Sequence, residues 1–189
     1  NVGSIIDACR AENRFGYEEV CYLLLFGKLP NKTELKDFND LISELRPLPY
    51  GFREDVIMKC PSPDIMNKLS RSVLTTYSYD KNPDATDLHN MLKQSILLLA
   101  RVPTMVAYAY QAKAHYYDGK SLYIHNPQKG MSSAENFLYM IRPDNKFTEL
   151  EARVLDMAFI LHAEHGGGNN SAFTTRVLSS SGTDTYSAI

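Results

Sequence analysis

The chain has 189 residues, 44% of them hydrophobic, with 20 Lys and Arg against 22 Asp and Glu. That length can bury one sizeable core, and so even a charge balance gives no electrostatic case for nucleic acid or an anionic membrane as partner. No apolar run approaches the length of a membrane span and no signal or transit segment opens the chain, so the expected compartment is the cytoplasm. In chain order the pattern is helix after helix. Residues 17–26 are apolar and stop at Gly27. Asn31 caps a helix to about Arg46, with Glu34 in the capping-box position and Leu35, Phe38, Leu41, Ile42 and Leu45 on one face. Pro47-Leu48-Pro49 breaks it. A short helix over 52–59 closes at Pro61. Ser62 and Pro63 then read as N-cap and first residue of a helix to about Tyr77. Leu88, Met91, Leu92, Ser95, Ile96 and Leu99 give a helical face that ends at Arg101, and Pro103 opens a separate helix to about Tyr116. The stretch 119–130 is irregular. An alternation at 121–125 is too short to found a sheet. Ser132 or Ser133 caps 134–141.

Thr148, with Glu151 three residues on, starts the last long helix. Leu150, Val154, Ala158 and Leu161 recur on one face, and 157–161 is apolar nearly all round, so the spacing predicts burial on most sides. Asp184 reads as the cap of a further helix after the polar cluster 179–183. The expected fold is all-α, a single domain over 1–189 packed helix on helix. Cys9, Cys21 and Cys60 are an odd number without a Cys-x-x-Cys pair, which fits reduced thiols.

The stretch His162-Ala163-Glu164-His165-Gly166-Gly167-Gly168-Asn169-Asn170-Ser171 holds the candidate site. A helix C-terminus favours a protonated imidazole, so His165 is a candidate donor towards an anionic or carbonyl ligand. The glycines allow close approach or positive φ. Asn169, Asn170 and Ser171 can cap the next helix, whose first N–H groups favour anions. A metal is the rival reading, because His162 and His165 are three apart with Glu164 between them. The spacing is not His-Glu-x-x-His and no third ligand is apparent, so no metal is expected. His89, His115 and His125 lie among polar neighbours and read as solvated.

Residues 160–189, ILHAEHGGGNNSAFTTRVLSSSGTDTYSAI, closely resemble the corresponding region of citrate synthases. Tyr17-Glu18-Glu19-Val20 followed by Tyr22-Leu23-Leu24-Leu25-Phe26-Gly27-Lys28-Leu29-Pro30 is similar to another stretch of that family. Arg101-Val102-Pro103-Thr104 with Ala107-Tyr108-Ala109-Tyr110, and 134–140, also match in order. The resemblance implies that His165 and Asn169 contact oxaloacetate. It gives Ser171 and His162 supporting roles, Ser171 orienting a histidine from a later segment. It implies the large helical domain of an enzyme that condenses acetyl-CoA with oxaloacetate, with no cofactor beyond the acyl-CoA co-substrate, and a homodimer.

The family's general-acid/base histidine in a Gly-Pro-x-His-Gly-like segment, its second catalytic histidine, its aspartate base and its carboxylate-clamping arginines are not found in 1–189. The expectation is therefore a fragment with part of a substrate site, no catalytic residue and no activity alone. Methylcitrate synthesis from propionyl-CoA, citryl-CoA cleavage, and a non-catalytic helical binding or assembly module are the alternatives.

Overall fold

Side-chain caps start most of the helices in the computed structural model, which describes every residue except His165. Asn1 caps α1 (Val2–Ala11) by accepting the Ser4 N–H. α2 (Tyr17–Phe26) begins at Gly16 with no cap from its own side chain, and ends at Gly27 with φ of 71°, where glycine is at ease. α3 (Lys32–Leu45) starts on the Asn31–Glu34 capping box. The short helix at 52–59 is a π turn over Arg53–Met58, wider than an α turn. α4 (Ile65–Thr76) and α5 (Leu88–Tyr116) follow, then α6 (Ser133–Ile141) and α7 (Glu149–His162) on capping boxes at Ser132 and Thr148. α8 (Asn170–Ser180) and α9 (Thr185–Ala188) are capped by Asn169 and Asp184. There is no strand among the described residues, so the all-α expectation holds.

Three local expectations give way to tertiary structure. Asp64, not Ser62, caps α4, because the Ser62 hydroxyl is already used one turn earlier as acceptor for the Asp64 N–H. Pro103 does not divide two helices. It lies inside the 29-residue α5. The lost backbone hydrogen bond is outweighed by burial on both sides of it, at Leu98, Ala100, Met105 and Ala107. The third concerns α7. Leu150, Val154 and Leu161 are 71%, 61% and 54% exposed. The buried face is instead Ala152, Asp156 and Ile160, and Phe159 of α7 meets the rings of Tyr17 and Phe137.

α5 is the centre of the molecule. Leu98, Met105, Tyr108 and Ala112 meet Phe52 and Ile57 from the π turn, Val73 of α4, Met140 of α6 and Tyr186 of α9. A second cluster joins Cys21 of α2, Phe38 and Ile42 of α3, and Ile96 and Ala100 of α5. Each fully buried large side chain here contributes roughly 1.5–3 kcal/mol. Although α5 is long, no helix of the described residues is long and apolar enough to cross a membrane. The three cysteines are free, Cys9 and Cys21 buried and Cys60 exposed.

Candidate functional site

The candidate stretch is the corner that links α7 to α8, and its described residues lie on either side of His165. His162 is the last residue of α7, and Gly166–Gly168 make a single 3-10 turn. Gly166 takes φ of +68°, which a side chain would strain. Asn169 then caps α8, its Oδ1 accepting the Ala172 N–H at 3.1 Å. Along the chain the end of α7 is followed by the glycine turn and then by the start of α8, whose first N–H groups favour negative charge, while the carbonyl end of α7 favours a protonated donor.

His162 and Ser171 are exposed, and Asn169 is half-buried with its side-chain oxygen engaged as the cap. His165 lies outside the described residues, so its predicted place beside them has no geometry here. Leu161, in the run predicted to be buried on most sides, is exposed, and Glu164 is exposed as well. Three clefts are lined by other residues, of which one of about 390 Å³ lies between α1 and α7. No group of three His, Cys, Asp or Glu converges for a metal among the described residues. Of the scattered histidines, His89 is exposed. His115 and His125 are half-buried and bond the carbonyls of Lys120 and Pro143.

The sequence reading missed a set of buried charges among α2, α3, α6 and α7. Asp156 of α7 is only 5% exposed and accepts the N–H groups of Gly16 at 2.9 Å and Tyr17 at 3.1 Å. It thereby supplies the cap that Gly16 lacks. Burial pushes its carboxyl up to about 6, against the two N–H donors that favour the charged form. Glu18 of α2 does the same for α6, accepting the Ser133 N–H at 2.6 Å. Glu19 pairs with Arg14 at 2.6 Å. Arg46, just after α3, donates to the carbonyls of Gln128 and Met131 just before α6. The signal for the first of these was a helix start at glycine with an aspartate set in an apolar run elsewhere. Neither feature names its partner. On α5, Arg101 is half-buried, its Nε has no hydrogen-bond partner among the described residues, and burial lowers its pKa.

Comparison with known proteins places these features in a family. The family model described as citrate synthase, C-terminal domain, matches residues 3–189. The peroxisomal citrate synthase 1 of Arabidopsis thaliana is 37% identical across 92% of this chain and 37% of its own length. The citrate synthase of Haloferax volcanii is 35% identical, again over 92% of this chain and 45% of its own. The crystal structure of citrate synthase from Pyrobaculum aerophilum superposes with a TM-score of 0.80 at 30% identity, covering 97% of this chain and 45% of that one. A Thermoplasma acidophilum citrate synthase, solved with carboxymethyl coenzyme A and oxaloacetate, shares the fold, with a TM-score of 0.81 at 20% identity. The chain thus spans less than half the length of these relatives.

Proposed function

The chain belongs to the citrate synthase family, and from that membership we propose that it forms the oxaloacetate-facing part of an acyltransferase condensing acetyl-CoA with oxaloacetate to citrate and CoA. The single observation behind this reading is the corner itself, a glycine turn joining the carbonyl end of α7 to the Asn169-capped start of α8. His165 and Asn169 contact the substrate, while His162 and Ser171 support the site. A protonated imidazole at a helix C-terminus donates to a ketone or carboxylate oxygen, and the first N–H groups of α8 favour the same negative charge.

These groups bind and orient but do not perform the reaction. Condensation needs a base to take a proton from the acyl methyl group, donors to hold the enolate, and cations for two substrate carboxylates. In our reading, 1–189 is part of the large helical domain, and the catalytic groups and a smaller domain lie outside it. The 189 residues alone then turn over nothing. Homodimerisation is part of the same reading. It is supported by α8, which buries none of its residues and leaves Phe173 and Val177 exposed.

The test is CoA release from acetyl-CoA, with and without oxaloacetate, by the 189-residue chain and by the longer protein that contains it. We expect release only from the longer protein, only with oxaloacetate, and strongly reduced by His165→Ala with folding intact. Release by the chain alone, or indifference to oxaloacetate or to His165→Ala, overturns the reading. Faster turnover of propionyl-CoA moves it to methylcitrate synthesis.

A further inference from the structure

Three helices meet at Gly16 with no room to spare. A Cβ there would lie 2.5 Å from Cys9 Sγ of α1 and 3.0 Å from Ile160 Cδ1 of α7. At this point the first two N–H groups of α2 are bonded by one side chain, and it comes from α7. Asp156 Oδ2 accepts from Gly16 and Oδ1 from Tyr17, at 2.9 and 3.1 Å. Both carboxylate oxygens are engaged, which ties α7 to the start of α2 at two points, beside the packing of α7 on α6. Six residues further along the same helix is His162, and beyond the glycine turn is Asn169.

The groups facing Asp156 do not neutralise it. α2 presents Tyr17, Glu18 and Cys21, and α1 presents Cys9. Arg153, on α7 itself, is the cation that acts on it, but it is engaged by Glu149 and Asn13. Arg14, in the turn before α2, is bonded to Glu12, Glu19 and the Cys9 sulfur. Among the described residues Asp156 therefore forms no ion pair, and the α2 terminus is what holds its charge. Burial raises its pKa to about 6, so the charge is gained and lost near neutrality. Protonation turns one oxygen into a hydroxyl, which is a poor acceptor for the N–H that faces it. The desolvation cost of the charge disappears in the same step, so the helices stay packed while the two-point bond is reduced to one.

We infer that Asp156 is a positioning residue. Its carboxylate is a two-point pin between α2 and α7 that sets the placement of His162 and the Asn169-capped start of α8, and protonation releases one of the two points. The oxaloacetate role of that corner rests on the function proposed above, but the pin itself does not.

The experiment is a pH titration of backbone amide resonances in the chain from pH 5 to 8, with Asp156→Asn beside it. In the native chain the Gly16 and Tyr17 amides should move with one midpoint near 6. The Asn169 and Ser171 amides should carry a component with that same midpoint, which is absent in Asp156→Asn. The histidines' own titration persists in the variant and so separates itself. Movement at Gly16 and Tyr17 without a matching component at Asn169 and Ser171 would reduce Asp156 to a local cap and overturn the inference, as would an unchanged titration in the variant. Should Asp156→Asn fail to fold, the native midpoints alone decide, since unequal midpoints break the link. In the longer protein, Asp156→Asn should raise KM for oxaloacetate roughly two- to tenfold and flatten its pH dependence near 6, with kcat little changed. A titration that behaves as expected beside kinetics indifferent to oxaloacetate would retain the pin and reject the substrate.

Discussion

α5 and α8 are both helices of mixed composition with apolar residues spread along them, yet they end in opposite conditions. α5 buries Ile96, Leu98, Met105 and Tyr108 with a series of alanines, and α8 buries nothing. The difference lies in their neighbours and not in their own residues. α5 is surrounded by α3, α4, α6 and the π turn, while among the described residues α8 packs mainly on α9 and the glycine turn. An apolar helix face is therefore a demand for a partner, and the chain meets that demand at its centre but not at the corner that carries the candidate site.

The sharpest way to break this contrast is to remove a central ring. Phe52→Ala should cost about 3–5 kcal/mol, read as a lower urea midpoint, since the side chain is wholly buried beside α5. Gly16→Ala comes next. Its new methyl group meets Cys9 Sγ at 2.5 Å and should cost about 1–3 kcal/mol. Adding Cys9→Ala should recover part of that loss in the same measurement.

Asp156 offers a version of the test driven by pH. Burial raises its folded pKa to about 6 from an ordinary 3.8, so between those values the native chain holds a proton that the unfolded chain has released. The stability from this group is fully present below pH 3.8 and is lost as pH rises through 6. After allowance for screening by water it amounts to something on the order of 1–2 kcal/mol. From pH 3.8 to about 6 the urea midpoint of the native chain should fall relative to that of Asp156→Asn, and the two should run parallel outside that window.

Much of the local structure was legible because its cause is local. The boxes at Asn31–Glu34 and Thr148–Glu151 join residues three apart, and so does the Asn169 cap on Ala172. The buried side of α7 was not legible. It is chosen by Tyr17 and Phe137, and Asp156 lies among apolar residues with its partner 140 positions away. Pro103 misled for a related reason, since the packing that carries α5 through it comes from four other segments. At the site, the glycine turn and the cap could be read from the residues, and the open surroundings could not.

Two smaller effects complete the contrast. Thr148→Ala removes the hydroxyl half of a capping box, leaving the backbone N–H bonded to Glu151, and should lower the thermal midpoint by the equivalent of about 1 kcal/mol. Phe173→Ala, at 64% exposure, should leave the chain's own stability within about 0.5 kcal/mol. In a longer protein of the kind proposed it should shift subunit association, measured by sedimentation, if α8 meets a second copy.

The bond between Gly16 and Asp156 also has a consequence in time. It closes a loop of 140 residues. At a synthesis rate of about 5–20 residues per second, the start of α2 leaves the ribosome roughly 7 to 30 seconds before the helix that completes it. Through that interval α2 can settle against α3, its neighbour in sequence, but its first N–H groups must be served by water. The start of α2 is made early and is completed only when α7 has been made.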